Sequence, residues 1–273
     1  MKITASDVNK LRQSTGAGMM DCKKALEESN GDFEKAVEIL RKKGQKVAAN
    51  RADRESSEGV VLAKVSDDNT YGIIISLNCE TDFVAKNEEY IQLAQSLASH
   101  ALNYSDKDSF LNSEFEGMKV SDKLLEQTGV IGEKIEIGSF EYLESEFVGS
   151  YVHAGSKIAS IVGLSEKFDN ADEVSKDISM QVAAMNPVAL DENSVSQEII
   201  EKEIEIAKDQ LRQEGKPEEM LDNIAKGKLK KFFKENTLVN QQFIKDNKQS
   251  ISDYLKSKSE NASVTGFARI GLV

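Results

Sequence analysis

The 273-residue chain is short of the residues that most often carry chemistry or cross-links: two histidines (His100 and His153), two cysteines (Cys22 and Cys79) and two prolines. The cysteines lie far apart and in no CxxC or Cys/His spacing. Their pattern therefore suggests neither a disulfide framework nor a zinc site and fits a reducing compartment. No apolar run approaches the roughly 18 residues of a membrane span, and the opening "MKITASDVNK" lacks the apolar core of a secretory signal, so a cytoplasmic location is expected. There is no Gly-x-Ser-x-Gly or His-Glu-x-x-His. The fragments "TGAG" and "GVIGEK" fall short of the GxxxxGK[ST] spacing that holds a nucleotide, so direct nucleotide binding is not expected. Carboxylates are plentiful, but no spacing selects a pair for acid–base work. His100 reads as structural, at a helix end. The chain reads as a non-enzyme without cofactor or metal.

Charge is abundant and uneven. Forty-seven acids against 35 bases give a net charge of −12, which argues against nonspecific binding to a phosphate backbone. Residues 1–54 hold 12 Lys or Arg against 8 Asp or Glu, hence +4, which leaves −16 for the remainder. The basic end is either a surface for an acidic partner or simply solvated helix faces.

The first 45 residues alternate helix-period stretches with turn signals. Thr4 or Ser6 is placed to cap a first helix, Asp32 to cap a third, and Gly44 to end it. Val8 with Leu11, Cys22 with Ala25 and Leu26, and Phe33 with Val37 and Leu40 mark three inward faces. Residues 45–58 read as a linker. "GVVLAKVSDDNTYGIIISLN" follows as a hairpin turning near Asp67–Asn69, then a helix with Ile91, Ala94, Leu97, Ala98 and Ala101 on one face. After a polar stretch at 105–129 comes the strand "EKIEIGSFEYLE". The order then repeats: "SYVHAGSKIASIVGLS" as a hairpin, "ADEVSKDISMQVAAM" as a helix and "ASVTGFARIGLV" as a closing strand. The repeat is interrupted by an antiparallel helical hairpin with Gly215 and Pro217 at its tip. The expected fold class is α+β. It comprises a three-helix module with its linker (1–54), a first core subdomain (55–145), a related second one (146–186 with 236–273) and a helical-hairpin, or coiled-coil, insertion (187–235).

Two short segments stand out. Met19 and Met20 are adjacent at a helix start, and because neighbouring helical residues diverge by about 100°, both cannot easily point inward. One side chain is then free for an adaptable protein contact, or both belong to local packing. In "NCETDFVAKN", Phe83 either packs into the chain's own core, with Asp82 capping the next helix, or faces outward.

Taken together, "LRQSTGAGMMDCKKALEESNGDFEKAVEILRKKG", "NCETDFVAKN", "SYVH", the helical insertion and "VTGF", in that order, resemble the bacterial elongation factor Ts family. The resemblance implies a ubiquitin-associated-like amino-terminal module, a two-part core and a coiled-coil arm. It further implies guanine-nucleotide exchange on the GTPase elongation factor Tu, with Thr81, Asp82, Phe83 and Val84 as a wedge entering near the magnesium and phosphate site. By the same likeness, Val8, Arg12, Met19 and Met20 grip the GTPase domain, and Tyr151 and His153 face a second domain of that partner. The arm is a candidate for self-association, partner contact or a solvated strut. Two departures accompany the likeness. Gln242 stands where the family usually has proline, and the chain ends at Val273, where members often continue into a further helical segment whose contacts are then expected to be absent. The competing reading is a protein-binding adaptor built on the three-helix module alone, without exchange activity; such an adaptor has no need of "TDFV".

Overall fold

The computed structural model describes residues 3–272. Its elements, in order, are α1 (Ala5–Thr15), α2 (Met19–Glu28), α3 (Phe33–Asn50), β1 (Glu58–Val65), β2 (Tyr71–Cys79), α4 (Asp82–Ala85), α5 (Glu88–Ala101) and α6 (Lys107–Asn112). The short strands β3 (Glu114–Phe115) and β4 (Met118–Lys119) precede α7 (Val120–Ile131), β5 (Glu136–Glu144), β6 (Phe147–Val152), β7 (Ile158–Leu164) and α8 (Ala171–Met185). The chain closes with α9 (Gln197–Gln213), α10 (Glu218–Asn236), β8 (Gln242–Phe243), β9 (Asp246–Ser250), α11 (Ile251–Lys258) and β10 (Val264–Gly271). The fold is α+β.

Each helix of the amino-terminal module begins and ends for a local reason. Thr4 and Asp7 form a reciprocal capping box at the start of α1, which satisfies amide donors that have no partner within the helix, and Gly16 at φ 68° ends it. Asp32 caps α3 by accepting from the Lys35 amide. Val8, Leu11, Ala17, Cys22, Ala25, Leu26 and Ala36 bury their side chains together as this module's core.

Gly44 does not end α3; the helix continues to Asn50, through the first six residues of the stretch read as a linker. The glycine serves instead to let two helices approach. A Cβ on Gly44 would sit 3.4 Å from the Cα of Gly129 in α7, and one on Gly129 would sit 2.4 Å from the Cα of Gly44. The polar region at 105–129 likewise contains more order than its composition suggested, since α7 buries Val120, Leu124 and Thr128.

The core is two three-stranded antiparallel sheets, ordered β1–β2–β5 and β10–β7–β6. In each, the second strand of a hairpin lies in the middle, and the outer strand opposite arrives after an excursion through helices. The middle strand β2, "YGIIISLNC", is buried on both faces, so it reads as a continuous apolar run rather than an alternation. Ile73, Ile75, Leu77 and Cys79 point to a cluster shared with α5, α6 and α7. Ile74 points the opposite way, with Val61, to meet Val148, Ala159, Ile161 and Ile270 of the second sheet. That second sheet turns its other face to α8 and α11, where Val162, Leu164, Val174, Ile178, Ile251 and Leu255 pack. The layers are helices, sheet, sheet, helices.

The hairpin of α9 and α10 buries Ala207, Leu211, Leu221 and Ala225 between its own helices. Gly215, at φ 75°, makes the tip turn that an L-residue with a Cβ rarely adopts. Pro217 stands at the cap position of α10, at the tip where it was expected.

Candidate functional site

Strand β2 ends at Cys79, and the chain turns within two residues into the single-turn helix α4. Thr81 is extended (φ −126°, ψ 152°), and its hydroxyl accepts from the Val84 amide. Asn87 then caps α5, accepting from the Tyr90 amide. The cap of α5 is thus Asn87, not Asp82, which was one reading of the sequence. Asp82 occupies the first turn of α4, where its carboxylate accepts from Lys86 Nζ at 2.6 Å. That hydrogen bond holds its carboxyl below the ordinary range.

Phe83 does not pack into the core: its residue is 83% exposed, the most open large hydrophobic of the described chain. Burying a phenylalanine is worth about 1.5–3 kcal/mol, so leaving one in water at the end of a well-ordered strand forgoes a large contribution. Val84 beside it is half-buried against the first core cluster, and Ala85 is buried, so the turn is anchored on one side only.

The base of the turn is braced. Glu133 accepts from the amides of Glu80 (3.1 Å) and Thr81 (3.0 Å) through one oxygen and from the Thr81 hydroxyl (2.6 Å) through the other. Glu80 in return accepts from the Lys134 amide at 2.7 Å, and Arg51 Nη1 reaches both its oxygens at 2.7 and 2.8 Å. Burial pushes the Glu80 carboxyl up, but the Lys134 amide and Arg51 outweigh it, and the group titrates below its ordinary range. Under the turn, Cys79 Sγ donates to the Thr81 carbonyl at 3.2 Å, and burial pushes this thiol up. The Tyr90 hydroxyl donates to the Leu77 carbonyl at 2.7 Å.

The residues expected to grip a partner fall into two kinds. Met19 and Met20 are 51% and 63% exposed at the start of α2, and Arg12 is exposed on α1. Val8, by contrast, is buried in the module's own core and supports the helix that carries Arg12. Gly16, just ahead of α2, faces Val130 of α7, and Gly16, Phe83, Val84, Gln127 and Val130 line one cleft of about 370 Å³. The exposed turn therefore lies on a seam between the module, at Gly16, and the core, at α7.

Tyr151 and His153 share one side of β6 and its extension, the Tyr151 hydroxyl lying 2.9 Å from His153 Nδ1. Just beyond, the hairpin tip lies against the start of β1: the Val61 amide donates to the Ser156 carbonyl at 2.7 Å, and Lys157 pairs with Glu58. Glu58 is in register with Cys79, so this tip and the turn at Thr81–Val84 occupy the same end of the paired sheets. His100 lies elsewhere, ringed by Tyr104, Phe110 and Phe115, in keeping with a structural role. Among the described residues, no group of three or more His, Cys, Asp or Glu is placed to hold a metal, and no helix is long and apolar enough to cross a membrane.

Sequence reasoning missed Arg51, Glu80, Glu133 and Lys134. The signal was in plain sight for two of them: the fragment "GVIGEK", set aside as an incomplete phosphate loop, is the end of α7, its Gly132 cap and the brace itself.

Over nearly its whole length the chain is similar to translation elongation factors. The family model described as "Elongation factor TS" matches residues 80–272. Elongation factor Ts of Christiangramia forsetii is 65% identical over 99% of this chain and 99% of its own length. That of Flavobacterium psychrophilum is 61% identical over 99% and 98%, and that of Porphyromonas gingivalis 46% identical over 100% and 99%. The chain belongs to the elongation factor Ts family.

Proposed function

We propose that the chain is a guanine-nucleotide exchange factor that releases GDP from elongation factor Tu by inserting the turn Thr81–Val84 near the partner's magnesium and phosphate site. The observation that carries this reading is Phe83, 83% exposed on a turn whose base is braced. No covalent step and no cofactor are involved; the work is differential binding, and it is done in the cytoplasm. Asp82 and Phe83 disturb the surroundings of the metal, while Arg12, Met19 and Met20 hold the GTPase domain, with Val8 beneath them, and Tyr151 and His153 meet a second domain.

The magnitudes require this division of labour. Accelerating release ten-thousandfold takes about 5.5 kcal/mol of differential binding, and burying one Phe supplies only about 1.5–3 kcal/mol. The remainder comes from the module and core, which hold the partner in a shape that binds nucleotide poorly. Linkage makes the effect reciprocal: whatever factor the protein takes from GDP affinity, GDP takes from the protein's affinity, so the ternary complex is transient. The boundaries 1–54, 55–145, 146–186 with 236–273, and 187–235 serve as the working division into module, two core parts and arm.

The test is release of a fluorescent GDP analogue from purified elongation factor Tu with this protein in substoichiometric amount. Complete release with many turnovers per molecule is expected; binding without faster release returns the module to the role of an adaptor.

A further inference from the structure

The geometry points to Glu133 as the positioning residue of the wedge: its carboxylate, held on the end of α7, clamps the Glu80–Thr81 backbone so that Phe83 displaces the partner instead of being displaced. This inference rests on the exchange reading above and adds to it the part that makes an exposed side chain able to push. A wedge transmits force only if its base yields less than what it enters. Phe83 has little packing of its own to hold it, and the Asp82–Lys86 pair lies within the same turn and its cap, so neither fixes the turn to the body of the protein.

Glu133 does. It takes three hydrogen bonds from two consecutive residues, two from backbone amides and one from a hydroxyl, and both its oxygens are used. Its own position is fixed from behind. Gly132, at φ 81°, closes α7 by donating to the Thr128 carbonyl, and the Ile135 amide donates to the buried Thr128 hydroxyl at 3.0 Å, so the residues flanking Glu133 and Lys134 are both tied to one residue of α7, through its backbone and its side chain. Glu80 closes the loop in the other direction through the Lys134 amide and Arg51, the residue that ends α3. Because α7 and α3 meet at Gly129 and Gly44, the turn is joined through Glu133 and Glu80 to both the core and the gripping module. Glu133 touches neither nucleotide nor metal in this scheme; it acts through the turn.

The experiment measures exchange by the full-length protein on the GDP-bound GTPase, with turnover and half-saturation determined separately, for wild type, Glu133→Ala, Glu133→Gln, Thr81→Val and Phe83→Ala. Removing the clamp is expected to lower maximal turnover about tenfold, while half-saturation and affinity for the nucleotide-free GTPase stay within about twofold, because the grip is untouched. Glu133→Gln, which keeps one acceptor oxygen, falls between wild type and Glu133→Ala. Thr81→Val, which loses the hydroxyl's bond to Glu133 and its cap on the Val84 amide but keeps both amide bonds to Glu133, has a smaller effect than Glu133→Ala. Faster amide hydrogen exchange at Glu80 and Thr81 in Glu133→Gln, with unchanged protection in the strands β1 and β2, accompanies the loss. Wild-type turnover in Glu133→Ala, or turnover and affinity falling together, overturns the clamp. Phe83→Ala separates the two ideas: if it exchanges as fast as wild type, the wedge itself is wrong; if it is slow while Glu133→Ala is fast, only the clamp is wrong.

Discussion

Gly129→Ala should loosen the joint between the amino-terminal module and the core, and the size of the effect follows from one distance. A Cβ at this position lies 2.4 Å from the Cα of Gly44, and ordinary contacts begin at 3.4 Å, so α3 must retreat by about 1 Å against backbone, not against the end of a flexible side chain. Overpacking of this kind costs about 1–3 kcal/mol, and the better helix propensity of alanine returns about 1 kcal/mol, for a net loss of up to about 2 kcal/mol. Two further glycines calibrate the argument. At Gly44 the added Cβ meets its nearest atom at 3.4 Å, so the propensity gain offsets the crowding and the variant is near neutral. Gly227, inside α10, has nothing within 4 Å, so Gly227→Ala should stabilise by about 0.5–1 kcal/mol. Urea unfolding followed by far-ultraviolet circular dichroism, with a common slope, measures all three. If Gly129→Ala is as stable as Gly227→Ala, the close helix contact is not present and the joint must be held some other way.

Stability should also respond to pH through His100, whose pKa burial lowers from the ordinary 6.5. The unfolded chain then takes up a proton that the folded chain resists, so the contribution is complete above about pH 6.5 and is lost as pH falls through the folded value. The urea midpoint of the wild type should drop between about pH 7.5 and about 5.5 more than that of His100→Gln; parallel curves would remove this histidine from the explanation. Cys22 and Cys79 are both fully buried, and burial raises the Cys79 thiol further from the reactive thiolate. Neither should be alkylated in the native protein, and both should be in urea; rapid native labelling of Cys79 would mean that the ground beneath the wedge opens.

What could be read from the chain before its structure depended on whether the signal was local. Capping residues such as Thr4 and Asp32 and the apolar stripe of α5 act over a few positions, and they mark their elements correctly. Gly44 misled because a glycine near a helix end and a glycine at a helix crossing look alike; only Gly129, 85 positions away, distinguishes them. The wedge segment was conspicuous, but whether Phe83 faced in or out was undecided locally, since either orientation suits a strand-to-helix turn. Its bracing was invisible, because Glu80 and Glu133 meet only after β5 has paired with β2.

The measurement that bears most directly on the account is the rate of GDP release from elongation factor Tu with wild type and with Phe83→Ala, alongside the affinity of each for the nucleotide-free GTPase. Phe83 is 83% exposed, so its removal should leave the fold intact; it should slow release markedly while complex formation weakens less. Equal release by the two proteins would contradict the wedge and leave the exposed turn without its assigned role.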